Sequence, residues 1–224
     1  MKPTLLPLAL LSILTAAVAA PAPLMTTPGP SLLSDPLTAL SPAWQAAKGR
    51  WTIQDGTLRG ESIAEQNHAA TYRHALSFTD AVIQFEVRLG DARAVTLSLN
   101  DQGGHAARVI LTPKGFQARK DDHDGPDRAA PFNDVQMPLA PGTWHTVTVE
   151  VLGPRLLASV DGQTAPAQLS FGQADLIASP KTNVGLTVQG GAASFRNLTV
   201  QSATSNPTWT DPAPQPAPAK TKGK

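Results

Sequence analysis

The chain has 224 residues, 18 Lys plus Arg against 17 Asp plus Glu, a formal charge of +1, 41% hydrophobic residues, 21 Pro, 17 Gly and no Cys. The lack of cysteine excludes a disulfide framework, a thiolate metal site, a cysteine nucleophile and a lipid-anchored cysteine. A near-zero charge with both signs interspersed argues against a nucleic-acid binder, which needs a basic stripe to neutralise phosphates.

In chain order, residues 1–20 carry Lys2, an apolar run from Leu5 to Ala19 and the small residues Ala17, Val18, Ala19 and Ala20 ahead of Pro21. This is the pattern of a secretory signal peptide. The run is shorter than the roughly 20 residues that span a bilayer, and Pro7 interrupts it, so a cleaved signal is the preferred reading over an anchor. The expected location is outside the cytoplasm, in the periplasm or the medium. Residues 21–42 are rich in Pro, Ser and Thr with one charge, Asp35, and read as a spacer outside the core. Residues 204–224 alternate Pro with small residues and end in Lys220, Lys222 and Lys224. They read as a disordered Pro/Lys-rich tail, or as a tether in contact with an anionic cell surface. Between these ends, residues 43–203 form one folded domain. It keeps 14 basic and 15 acidic residues once Lys2, Lys220, Lys222, Lys224, Asp35 and Asp211 are set aside.

Within the domain, apolar residues recur with period two and turn residues interrupt them at short intervals, which predicts an antiparallel β-sandwich of about ten strands. WTIQ, Asp55-Gly56 and TLR (51–59) read as a hairpin that opens the domain, with the dipeptide a type I′ turn favours. At 81–89, Ala81, Ile83, Phe85, Val87 and Leu89 share one face, and Gln84, Glu86 and Arg88 the other. Val95, Leu97 and Leu99 alternate with Thr96, Ser98 and Asn100; Ala107, Val109 and Leu111 alternate with Arg108, Ile110 and Thr112. Lys114-Gly115 turns the chain into 116–120, and further strands are predicted at 144–152, 155–160, 183–188 and 193–200. The long connections, 121–141 and 163–182, are where function is expected to sit.

Several segments carry a family resemblance. GTWHTVTVEV (142–151) followed by LASVDG (157–162) looks like the "G-x-W-x-x-V…V-D/N-G" hairpin of concanavalin A-like and laminin G-like jelly rolls. VGLTVQG (184–190) with ASFRNLTV (193–200) resembles the closing strands of the 3-keto-disaccharide hydrolase domain family, and WTIQDGTLRG (51–60) and FTDAVIQFEVR (78–88) are similar to its opening ones. The resemblance implies a concanavalin A-like jelly roll. It also implies a carbohydrate or glycoside ligand and cleavage of a glycoside already oxidised at carbon 3 of the sugar. The central strands, with LSLNDQGGH (97–105) in the middle, depart from the family's pattern, so no catalytic position is carried over.

Candidate chemistry therefore comes from the residues. Lys120-Asp-Asp-His-Asp-Gly-Pro-Asp127 is the densest polar cluster. Asp122, Asp124 and Asp127 around Gly125 could hold a divalent cation such as calcium; a solvated acidic turn and a substrate or catalytic role are the other readings. Asn100, Asp101 and His105 occupy the tip of a hairpin, and pairing of 116–120 with 108–111 would bring Lys120 to Asp122 near His105. Substrate-binding candidates are Glu86, Arg88, Asn100, Asp101 and Arg108. A ketone at carbon 3 acidifies the hydrogen on carbon 2, so a base can remove it, the enolate expels the glycosidic oxygen from carbon 1, and water adds. His105 or His123 is the candidate base, and Lys120 or a cation on Asp122 and Asp124 the candidate oxyanion stabiliser. A non-catalytic sugar-binding or adhesion module, and a structural envelope protein, are the competing readings.

Overall fold

A computed structural model describes residues 20–123, 125 and 128–212. In chain order the strands are β1 (Thr26–Asp35), β2 (Trp44–Lys48), β3 (Arg50–Gln54), β4 (Thr57–Glu61), β5 (Ala70–Phe78), β6 (Ala81–Leu89), β7 (Ala94–Asp101) and β8 (Gly104–Thr112). They continue as β9 (Gly115–Lys120), β10 (Ala130–Gln136), β11 (Trp144–Leu152), β12 (Arg155–Val160), β13 (Ser170–Gln173), β14 (Lys181–Gln189) and β15 (Ala192–Ser205). They form two antiparallel sheets. One runs β13-β12-β11-β6-β15-β4-β3 with β1 added on β15; the other runs β10-β9-β8-β7-β14-β5-β2. The protein is an all-β jelly-roll sandwich. No helix among the described residues is long and apolar enough to cross a membrane.

The period-two pattern decides which side chains face inward. Leu97, Leu99, Val109, Leu111, Phe116, Ala118, Val184 and Leu186 of the second sheet meet Ile83, Phe85, Val87, Val147, Val149 and Phe195 of the first in one core. The β3–β4 turn has Asp55 at φ 51° and Gly56 at φ 68°, the left-handed pair that a type I′ hairpin requires. Trp51 is core, and Tyr72 stacks between it and Trp44 with ring centroids 4.9 Å apart on each side.

Both chain ends depart from their sequence reading. The spacer expected over 21–42 contains β1, which pairs along 198–205 of β15. Its prolines are tolerated because β1 is an edge strand, and the register shifts where Pro28 and Pro30 fall. Asp35, the spacer's one charge, accepts bonds from the Leu37 amide (2.7 Å) and Trp44 Nε1 (2.8 Å), which fixes buried Leu37 and Trp44 together. Glu150 on β11 is buried under this segment and accepts from Leu24 N (2.9 Å), Thr26 N (2.7 Å) and Thr26 Oγ1 (2.8 Å). Burial pushes its carboxyl pKa up, against those hydrogen bonds. The tail also docks at its start. Asn206 bonds to Met25 and Leu24 carbonyls, and Trp209 packs edge-on against Phe171 at 6.3 Å. All but the last residue of the signal-peptide reading (1–20) and the rest of the tail (213–224) lie outside the described residues. The two long connections expected from sequence hold two further strands, β10 and β13.

Candidate functional site

The outer face of the second sheet collects the candidates Asn100, His105 and Arg108, because side chains that alternate with the core residues of β5, β14, β7, β8 and β9 must all leave on that side. The Cα register aligns Arg73 with Gly185, Gly185 with Ser98, Ser98 with Arg108, and Arg108 with Arg119, so one row across five strands carries three arginines around a floor of Gly185 and Ser98. The adjoining row holds Asn183, Asn100 and Asp121; Asn100 Nδ2 donates to Asn183 Oδ1 at 2.8 Å. Asn100 Oδ1 is buried and has no donor among the described residues.

Asp121 is 1% exposed and its Oδ2 lies 2.6 Å from Arg108 Nε. Burial raises its pKa, and the charges of Arg108, His105 and Arg119 oppose that rise. His105 pairs in register with Asn100 and stands at this end of the face.

Beyond this row the β7–β8 hairpin meets the segment after β9. The Asp121 amide bonds to Ala106 O (2.9 Å) and the His123 amide to His105 O (3.0 Å), so the β8–β9 ladder continues past Lys120. That brings His123 Nε2 to 2.7 Å from Asp101 Oδ2. Asp101 also accepts from Gly103 N (2.7 Å) and Ser179 Oγ (2.5 Å). Burial works against its ionised form, but the bonds from Ser179, His123 and Gly103 outweigh it and the pKa is lowered. Ser179 follows the short 3₁₀ turn Asp175–Ala178. Lys181, itself 1% exposed, seals that turn by donating to the carbonyls of Ile177 and Ser179.

The structure thus places Asn100, His105 and Arg108 on one face and joins Asp101 to His123 at the end of that face, while three other candidates lie elsewhere. Lys120 aligns with Ala107, a core residue, so alternation sends its side chain to the opposite side from Arg119 and Asp121. Glu86 and Arg88 lie on β6, in the other sheet, on its outer face. There Glu86 accepts from Arg196 (2.5 Å) and Asn197 (2.6 Å), and Arg88 and Arg196 sit 4.9 and 4.2 Å from the Trp144 ring. Of the cation ligands Asp122, Asp124 and Asp127, the last two lie outside the described residues; among the described residues no group of three or more His, Asp or Glu could hold a metal. Tyr72 and His74 face the core, with His74 edge-on to Trp44 at 5.0 Å.

The sequence patterns single out Asp121 only as a member of the polar cluster, and do not mark Arg73, Arg119, Asn183 or Ser179. Arg119 and Asp121 were recoverable from the predicted 108–119 pairing, which puts both on the Arg108 face. Arg73 was not, since β5 was not read as a strand.

The sequence profile of the 3-keto-alpha-glucoside-1,2-lyase-like domain matches residues 38–201, most of the chain. The chain belongs to that family. Among solved structures its fold is similar to a carbohydrate-binding module from Bacillus subtilis, CBM66 (TM-score 0.57, 16% identity, covering 71% of this chain and 96% of that one). It is also similar to a beta-glucanase from Bacillus licheniformis (0.59, 11%, 78% and 99%). A third likeness is to a Bacillus subtilis protein of unknown function with a galectin-like fold (0.60, 13%, 81% and 100%). No curated protein matches the chain significantly. The family domain thus sits on a fold shared with glycoside hydrolases and carbohydrate-binding modules.

Proposed function

We propose that the chain cleaves the glycosidic bond of a 3-keto glycoside held across the outer face of the second sheet, and that it does so after export. The family match supports the substrate class. The observation that carries the reading is the Asp101–His123 pair at the end of the arginine row. An ionised Asp101 is acceptor only, so His123 donates through Nε2–H and the neutral ring keeps its lone pair on Nδ1. A ring oriented in this way is a general base without a large conformational search.

The steps balance without an external redox partner. Nδ1 takes the proton from carbon 2, whose acidity comes from the adjacent ketone. The electron pair enters the carbonyl as an enolate, and the enolate re-forms its ketone as the carbon 1–oxygen bond breaks and the aglycone oxygen takes the proton held on Nδ1. Water then adds across the resulting double bond. The arginines of the face, Arg108 the nearest in register to the histidines, stabilise the enolate oxygen. His105 shares the face with Arg108 and takes part in proton transfer from there.

Turnover of a 3-keto-glucoside by the purified protein and by His123→Ala tests the reading. Loss of about 10²-fold or more on substitution is expected for a general base. Binding of the glycoside with no turnover would instead select a sugar-binding module.

A further inference from the structure

Taking the outer face of the second sheet as the sugar site, we infer that it is built for an anionic saccharide, one carrying a carboxylate or sulfate, through Arg73 and Arg119. Arg108 and Arg119 are direct cross-strand partners, and like charges placed opposite one another destabilise a sheet unless something offsets them. Asp121 offsets chiefly Arg108, by its contact with Arg108 Nε at 2.6 Å, and interacts more weakly with the charge of Arg119. Arg119 and Arg73 make no ion pair with a carboxylate among the described residues. The Nε atoms of both are buried and meet no acceptor there. Asp134, on edge strand β10, pairs with Gln117 in the next row away. The row keeps a net charge of about +2, and two of its guanidinium groups have a buried Nε without an acceptor, an arrangement that an anion on their outer nitrogens would relieve.

The floor between the arginines is set by two small residues. Arg73 and Arg108 are three strands apart, about 14 Å at the usual spacing of ~4.8 Å. The intervening positions are Gly185 and Ser98, and a Cβ on Gly185 would come within 2.5 Å of Ser98 Oγ and 3.5 Å of Arg73 Cγ. Glycine there keeps the floor low and lets the Arg73 stem lie across it. Arg73 on one side and Arg119 with Arg108 on the other then flank this floor. A planar guanidinium matches a carboxylate or sulfate through two parallel N–H···O bonds, which a neutral hydroxyl cannot accept in the same way.

The test needs no turnover and no oxidised sugar. Methyl glucuronide, methyl glucoside 6-sulfate and neutral methyl glucoside are titrated into the full-length protein by calorimetry or NMR, at 50 and 500 mM NaCl. The expected result is at least about tenfold tighter binding of a charged glycoside than of the neutral one, falling with salt. Arg73→Gln and Arg119→Gln should each remove most of that preference, and Asp121→Asn should increase it. Preference for the uronide alone selects a carboxylate, and for both charged sugars a general oxyanion. Equal affinity for all three sugars, or binding of none, overturns the inference. Turnover of a neutral 3-keto glucoside with equal affinities would leave the proposed reaction standing, whereas a charged-sugar preference without turnover would leave only the binding inference.

Discussion

His123 Nε2 and Asp101 Oδ2 lie 2.7 Å apart although 22 residues separate them in sequence. The contact exists because the β8–β9 ladder runs on past Lys120, through Asp121 and His123, until the chain draws level with the β7–β8 turn. Asp101→Asn leaves a side chain of the same shape that cannot accept two charge-assisted bonds through one oxygen. The expected outcome is a loss of turnover of about 10- to 100-fold with little change in KM, because the ring loses its orientation rather than the sugar its contacts. A steady-state split of kcat from KM checks this.

The same carboxylate sets an acid limit on stability. The folded pKa of Asp101 is below its unfolded value of about 3.9, so its contribution is complete above that value and lost as pH falls through the lowered folded one. Thermal melts of the wild type and of Asp101→Asn between pH 2 and 7 should converge at the acid end and diverge above about pH 4. Parallel curves across the range would contradict the assignment.

Glu150 acts in the opposite direction. Its folded pKa is raised, so ionisation opposes folding, and stability falls as pH rises from its unfolded value near 4.3 through the folded value. Glu150→Gln removes that ionisation. Its melting temperature relative to wild type should therefore improve as pH rises from about 4 to 7, a trend that a simple loss of hydrogen bonds to Leu24 and Thr26 would not give.

The N-terminal strap is part of the folded unit. Deleting residues 21–37 removes buried Met25 and Leu37, each worth roughly 1.5–3 kcal/mol, and leaves Glu150 without its donors. The expected drop in melting temperature is about 10 °C or more, at roughly 2–4 °C per kcal/mol for a chain of this size. An unchanged melt of the shortened chain would show that β1 docks without stabilising.

What was legible in the sequence was whatever repeats. Alternation in 81–89, 95–99 and 107–111 set the two faces correctly, and Asp55-Gly56 and Gly103-Gly104 marked turns that the structure contains. The hairpin register placed Lys120 to Asp122 beside His105, and from it the joining of the two polar clusters followed. Edge strands escaped. β1 is full of Pro and Gly and alternates poorly, because it pairs on one side only and few of its residues face the core. Glu86 and Arg88 were legible as an outward-facing pair but not as members of the other sheet from Arg108, since alternation gives a face and no address. Arg73 lies three strands from Arg108, and no local signal reports a neighbour across two intervening strands.

The central claim is tested most directly by aglycone release from a 3-keto-glucoside by the full-length protein beside His123→Ala and His105→Ala, with added calcium and with chelator. The account predicts release by the wild type, loss of about 10²-fold or more in His123→Ala and a smaller loss in His105→Ala, with all three proteins folded. Undiminished release by His123→Ala, or no release by folded wild type in either buffer, would contradict it.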